Sequence, residues 1–217
     1  MSTDPVVIVA ARRTPIGAFQ GALSDVSATE LGATAVAAAV ADSGVEPADF
    51  GRVLMGCVLP AGLGQAPARQ AALGGGLPKG VPCATVNKMC GSGLEALVLA
   101  HDMIVAGSVG IAVAGGLESM TNAPYLMPKA RKGYRMGHQE VLDHMFYDGL
   151  QDTYEGHMMG HYAEATSQKY GFSREDQDAF AIESVTRATR AAGDGSFDAE
   201  IVPVTVKTRR GEHTVSV

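Results

Sequence analysis

The sequence predicts an α/β fold built on a parallel sheet, and three observations carry that prediction. Short apolar runs suited to covered strands alternate with stretches whose apolar residues recur at helical spacing. Glycines stand where each helical stretch should stop: Gly44, Gly74-Gly75-Gly76 and Gly107. The segment from Cys83 to Gly115 reads as strand, helix and strand, a βαβ unit that is normally parallel and right-handed.

The elements follow in chain order. Val6 to Ala11 is an apolar run expected to be a covered strand, and Arg12-Arg13-Thr14-Pro15-Ile16-Gly17 is a loop. Ser27-Ala28-Thr29-Glu30 has the form of a capping box, and Leu31, Ala35, Val36, Ala39 and Val40 continue it as a helix to Gly44. Arg52 to Cys57 is the second strand. Pro67 opens a short alanine-rich helix, where its missing N–H costs nothing. Cys83 to Asn87 is a strand, and Gly91 to Ala106 is a helix with Leu94, Leu97, Val98 and Val105 as its apolar stripe. Gly110 to Gly115 is the next strand. Residues 122–158 show little periodicity but hold Tyr125, Tyr134, Phe146, Tyr147 and Tyr154, which argues for an ordered functional loop region. Helical signals resume from Met159 to Tyr170, and again after Ser173, with Asp176 as box partner and Ala181, Val185, Ala188 and Ala192 on the apolar side. Val202, Val204 and Val206 alternate ahead of a turn at Arg210-Gly211, as in a hairpin that continues through Thr214 to Val217.

Composition narrows the function classes. A formal charge of −6 offers no basic face for nucleic acid. Three cysteines make no disulfide framework and fit a reducing compartment. Met1-Ser2-Thr3-Asp4-Pro5 has no positive n-region, and the apolar run that follows is too short to span a membrane, so a cytoplasmic protein is expected.

Cys90 carries the chemistry. It lies in Val86-Asn87-Lys88-Met89-Cys90-Gly91-Ser92-Gly93, between a strand and the start of a helix. The C-terminal end of a strand is the usual place for chemistry in such sheets. A helix N-terminus favours thiolate, and its N–H groups can hold an oxyanion. The alternative is a packed, inert cysteine. Gly91 and Gly93 let an acyl group approach closely. Neither a dinucleotide fingerprint nor a P-loop ending is complete here. A cysteine nucleophile needs a base, usually histidine. His101 is about 15 Å along the helix by rise per residue, which excludes it and leaves it a packed, hydrogen-bonded role. His138, His144, His157 and His161 can reach the site or simply be loop polarity. His157 and His161 are spaced to share a helix face but lack a third ligand, so no metal is expected. Cys57 and Cys83 read as packed small hydrophobes.

Asn87-Lys88-Met89-Cys90-Gly91-Ser92-Gly93 resembles the nucleophile segment of the thiolases, the acetyl-CoA acetyltransferase family. Arg13-Thr14-Pro15-Ile16-Gly17, the run from Gly62 to Gln70, Gly115-Gly116-Leu117-Glu118-Ser119-Met120 and the run from Ser173 to Asp178 resemble the same family, in the same order. The resemblance implies the N-terminal half of an αβαβα layered sandwich: an α/β domain over residues 1–121 with the nucleophile, and a partial, coenzyme A-binding loop domain over 122–217. It implies that Cys90 thiolate takes an acyl group from a thioester, with the Cys90 backbone and Gly91 serving the oxyanion and close approach. A second acetyl-CoA, as its α-carbanion, would then release a 3-ketoacyl-CoA; the reverse is thiolysis.

The resemblance also implies acetyl-CoA, acetoacetyl-CoA or longer 3-ketoacyl-CoA as partners. It implies coenzyme A as substrate and not a tightly bound cofactor, and a homo-oligomer, dimer or tetramer. The family's histidine base, second cysteine and asparagine lie in segments reading like Gly-His-Pro, Cys-Gly-Gly-Gly and Asn-Glu-Ala-Phe. None occurs in this sequence, which resembles roughly the first half of a thiolase. In the loop domain the family often carries His-Met-Gly; here the run is His157-Met158-Met159-Gly160. Met159 then lines the pantetheine path, Met158 takes the histidine's place and His157 stands one position early. Lys129, Arg131, Lys132 and Arg135 can serve the coenzyme A phosphates or solubility. Two other readings compete: a condensing enzyme of the ketoacyl-synthase kind, which the glycine context after Cys90 disfavours, and a non-catalytic half-domain acting through assembly.

Overall fold

The fold is described from a computed structural model, for residues 6–209 and 211–216. Met1 to Pro5, Arg210 of the expected turn and Val217 lie outside the described residues. The chain divides into two compact units, Met1–Tyr125 with Glu200–Val217, and Leu126–Ala199. This differs from the expected division at residue 121, because the C-terminal hairpin returns to the first unit.

In the first unit, α1 (Ala28–Ser43) begins with the expected capping box, in which Ser27 and Glu30 satisfy each other's backbone N–H groups. Gly44 ends it in the left-handed conformation at φ 66°. β1 (Arg52–Gly56), α2 (Pro67–Gly74), β2 (Cys83–Val86), α3 (Ser92–Val105) and β3 (Ala112–Gly116) follow. The three strands form a parallel sheet in the order β2-β1-β3, with Met55 opposite both Thr85 and Gly115. Alternation along β1 sorts its side chains between two layers. Val53 and Met55, with Cys57 just beyond, join α1 and α2 in one core, while Leu54 packs with Ala96 and Ala100 of α3.

Two expectations in this unit are corrected. Residues 6–11 belong to no strand, and Val7, Ile8 and Val9 are exposed. They face β3 and α3 across an apolar cavity of about 580 Å³, so no ladder forms to cover them. On α3 the buried residues are Ser92, Ala96 and Ala100, whereas Leu94, Leu97, Val98 and Val105 are exposed. The sheet-facing side must be small because the helix lies close to the strands; the large apolar side points away. His101 is likewise exposed, beside Asp102 at 3.1 Å, and not packed.

The expected hairpin forms as β6 (Val204–Thr208) antiparallel to β7 (Gly211–Val215), numbered after two short strands of the loop region. Val204 and Val206 bury against Leu23 and Val26, which ties the hairpin to the first unit. Arg13 pairs with Glu200 at 2.9 Å beside the same junction.

The loop region is more structured than its periodicity suggested. It holds the two-residue strands β4 (Tyr125–Leu126) and β5 (Leu142–Asp143) and a π-helical turn, Met145–Leu150. His144 is buried, its Nδ1 2.6 Å from Asp148 Oδ2. α4 (Met159–Tyr170) ends at Gly171, and α5 (Arg174–Gly193) starts from the Ser173–Asp176 capping box. The apolar side expected on α5 is not covered: neither helix buries a residue among those described. No helix among the described residues is long and apolar enough to cross a membrane.

Candidate active site

Cys90 sits where a parallel sheet presents its chemistry, just past the C-terminal end of β2 and two residues before α3. The turn that carries it is built by side chains of both flanks. Asn87 Oδ1 accepts the Met89 N–H at 3.0 Å. Ser92 Oγ accepts the Lys88 N–H at 2.8 Å and donates to the Met89 carbonyl at 2.6 Å. These bonds hold Met89 at φ 49°, a left-handed conformation that a non-glycine residue rarely takes. The result raises Cys90 onto an exposed crest.

The ground beneath that crest is glycine. A Cβ added to Gly56 would stand 2.5 Å from the Ser92 carbonyl carbon and 2.6 Å from the Gly93 nitrogen. Gly93 in turn lies against Gly115 and Gly116. Without side chains at these points, the first turn of α3 rests directly on the ends of β1 and β3. Gly91 donates its N–H to the Lys88 carbonyl at 3.2 Å, and Ser92 donates to the Met89 carbonyl at 2.9 Å. Gly91 therefore gives room beside the thiol, while its own N–H is engaged.

The three thiols differ sharply. Cys57 is buried, and burial, followed by the Glu118 charge, pushes its pKa up to about 12. Burial also raises Cys83, against the opposing pull of Arg69 and Arg52. Both are neutral at physiological pH and match the packed role read from the sequence. Cys90 alone of the three is exposed.

Two residues important to this architecture were not singled out from the sequence. Ser92 is the buried clamp of the turn, and in the sequence it stood only as one member of the Asn87–Gly93 motif at the start of a helix. Glu118 was noted only as part of a motif. Its carboxylate accepts the Val58 N–H at 2.8 Å and the Leu59 N–H at 3.0 Å.

The other expected site residues belong to the second unit. Met158 is the N-cap of α4 and Met159 its first, exposed residue. His157 stacks on His161 with ring centroids 4.0 Å apart. Lys129, Arg131, Lys132 and Arg135 are all exposed along the loop region. Among the described residues no group of three or more histidine, cysteine or acidic side chains is arranged to hold a metal ion.

The family model "Thiolase, N-terminal domain" matches residues 6–217. A "Probable acetyl-CoA acyltransferase" of Staphylococcus aureus strain COL is 50% identical over 210 residues, covering 97% of this chain and 53% of that protein. The counterpart from strain N315 is 50% identical over 207 residues, with 95% and 53% covered. The chain thus spans about half the length of the curated relatives it matches. The family match over nearly the whole chain, on a parallel α/β fold, leads to one conclusion: this chain belongs to the thiolase family, in its N-terminal domain.

Proposed function

We propose that this chain is the nucleophile-bearing half of an acyl-CoA acyltransferase, and that Cys90 forms the acyl-enzyme. The observation that carries this reading is the exposed thiol on a strained turn at the start of α3, where Cys57 is buried and Cys83 partly so. Once a base has taken the Cys90 proton, the thiolate attacks the thioester carbonyl, the tetrahedral oxyanion is held by the Cys90 backbone N–H, and the C–S bond to coenzyme A breaks as the base returns that proton to the departing thiolate, giving the coenzyme A thiol. Gly91 leaves room for the acyl group. In the second step an acetyl-CoA carbanion attacks the acyl-Cys90 carbonyl, giving acetoacetyl-CoA or a longer 3-ketoacyl-CoA and restoring the thiolate. Thiolysis is the same path reversed.

On this reading coenzyme A is a substrate, with Met159 along the pantetheine path and His157 and Met158 beside it. The basic run from Lys129 to Arg135 is the place for its phosphates. The base that activates Cys90 and the acid of the second step come, by family resemblance, from segments that this sequence does not contain. The exposed side of α3, with Leu94, Leu97, Val98 and Val105, is suited to the structure that supplies them.

The test is acyl-enzyme formation in the full-length acyltransferase that contains this half. Incubation with acetyl-CoA should add one acetyl group to the peptide bearing Cys90. Cys90→Ser should abolish acyl transfer with the fold intact, because an unassisted hydroxyl is a far weaker nucleophile. Near-normal turnover by that variant would remove Cys90 from the role.

A further inference from the structure

Glu118 stands just past the end of β3, and its carboxylate gathers three donors from the segment that follows β1. The Val58 N–H lies at 2.8 Å, the Leu59 N–H at 3.0 Å and the Cys57 thiol at 3.6 Å. Acyl transfer at Cys90 asks nothing of this carboxylate directly. We propose that Glu118 is a positioning residue for the nucleophile turn, acting through the backbone beneath it. The proposal rests on the reading of Cys90 as nucleophile.

The connection is made of rigid contacts. The Leu117 N–H binds the Gly56 carbonyl at 2.9 Å, which joins the ends of β3 and β1. The Cys57 N–H binds the Val86 carbonyl at 2.9 Å, which joins the same segment to the end of β2. Asn87, the next residue, holds the Met89 N–H. Gly56 meanwhile lies directly under Ser92, with no space for even a methyl group between them. Ser92 Oγ then fixes both Lys88 and Met89. A shift of residues 56–59 is thus passed to the Cys90 turn by two routes, through Val86 and Asn87 and through Ser92. Backbone contacts of this kind transmit displacement because packed interiors are stiff. The left-handed Met89 conformation needs such support, since strained backbone persists only where its surroundings over-determine it.

The chemistry explains why a carboxylate is used. It accepts at both oxygens and donates from neither, so it can face two backbone N–H groups and a thiol at once. Glutamine has the same shape but one accepting oxygen; its amide nitrogen would meet an N–H donor. Glu118→Gln therefore breaks the clamp while nearly preserving volume.

Two measurements on wild type and Glu118→Gln test this. In hydrogen exchange of the 217-residue chain, the peptide spanning Asn87–Gly93 should exchange about tenfold faster in the variant, with α1 unchanged. In the full-length acyltransferase, Cys90 acetylation by acetyl-CoA should slow by roughly tenfold or more, whereas alkylation by iodoacetamide, which needs no oriented approach, should stay within about threefold. Where Glu118→Gln does not fold, Glu118→Asp makes the same comparison, with a carboxylate too short to span both N–H groups. Cys57→Ala, which keeps both backbone bonds, should leave exchange at 87–93 within about twofold of wild type. Unchanged exchange at 87–93 in the Glu118 variants, or acetylation at the wild-type rate, overturns the inference. The exchange measurement involves no substrate, so its failure leaves the acyl-enzyme reading standing. Absence of acetylation in the wild-type enzyme would sink that reading instead.

Discussion

At the scale of single residues, the Cys90 turn depends on what is missing as much as on what is present. Gly56 has a helix N-terminus resting on its α-carbon, and the nearest atoms are backbone, which cannot rotate away. Gly56→Ala should therefore lift the start of α3 and cost about 1–3 kcal/mol of stability, the range for overpacking a tight site. Denaturant unfolding would measure it, and a variant as stable as wild type would show that the contact yields freely. Cys57 makes a second prediction. Its folded pKa of about 12 stands above the ordinary value of 9.0, so the folded state favours the neutral thiol. Its contribution to stability is present below pH 9.0 and is lost as pH rises toward 12. Cys57→Ala should flatten that part of the alkaline unfolding curve relative to wild type. An unchanged alkaline limb would contradict the assignment.

At the scale of elements, the helices were legible wherever their signals are local. Ser27 with Glu30, Ser173 with Asp176, and the glycines 44 and 171 mark helix ends through hydrogen bonds and backbone geometry that span only a few residues. The βαβ unit around Cys90 and the C-terminal hairpin were legible for the same reason. Burial was harder to read, because it depends on what stands opposite. The stripe of Leu94, Leu97 and Val98 on α3 has the spacing of a core face, yet the alanines pack on the sheet. Periodicity shows that a helix has an apolar side but does not say which neighbour covers it. Val6 to Ala11 has strand composition without a strand partner. In the candidate site, Cys90 and Gly91 stood out by residue type and place. Ser92 and Glu118 did not, because a clamp is recognised by the distances that it spans.

At the scale of the whole molecule, the exposed apolar residues have a consequence. Val7, Ile8 and Val9 with the outer side of α3 leave a substantial hydrophobic surface in the first unit, and such surfaces mark association. The chain should sediment as an oligomer or as a complex with a complementary half. A folded monomer at tens of micromolar, roughly the range where such patches self-associate, would argue against that role. The isolated chain should also turn over acetoacetyl-CoA poorly, since a positioned acid or base is typically worth about 10²–10⁴ in rate. The central claim, that Cys90 is the acyl-accepting thiol, is tested most directly by site-resolved alkylation of all three cysteines in the folded full-length acyltransferase, with and without acetyl-CoA. Cys90 is expected to react with iodoacetamide first and to be protected by prior acetylation, with protection reversed by free coenzyme A. Labelling of Cys57 or Cys83 ahead of Cys90, or alkylation of Cys90 that acetyl-CoA leaves untouched, would contradict it.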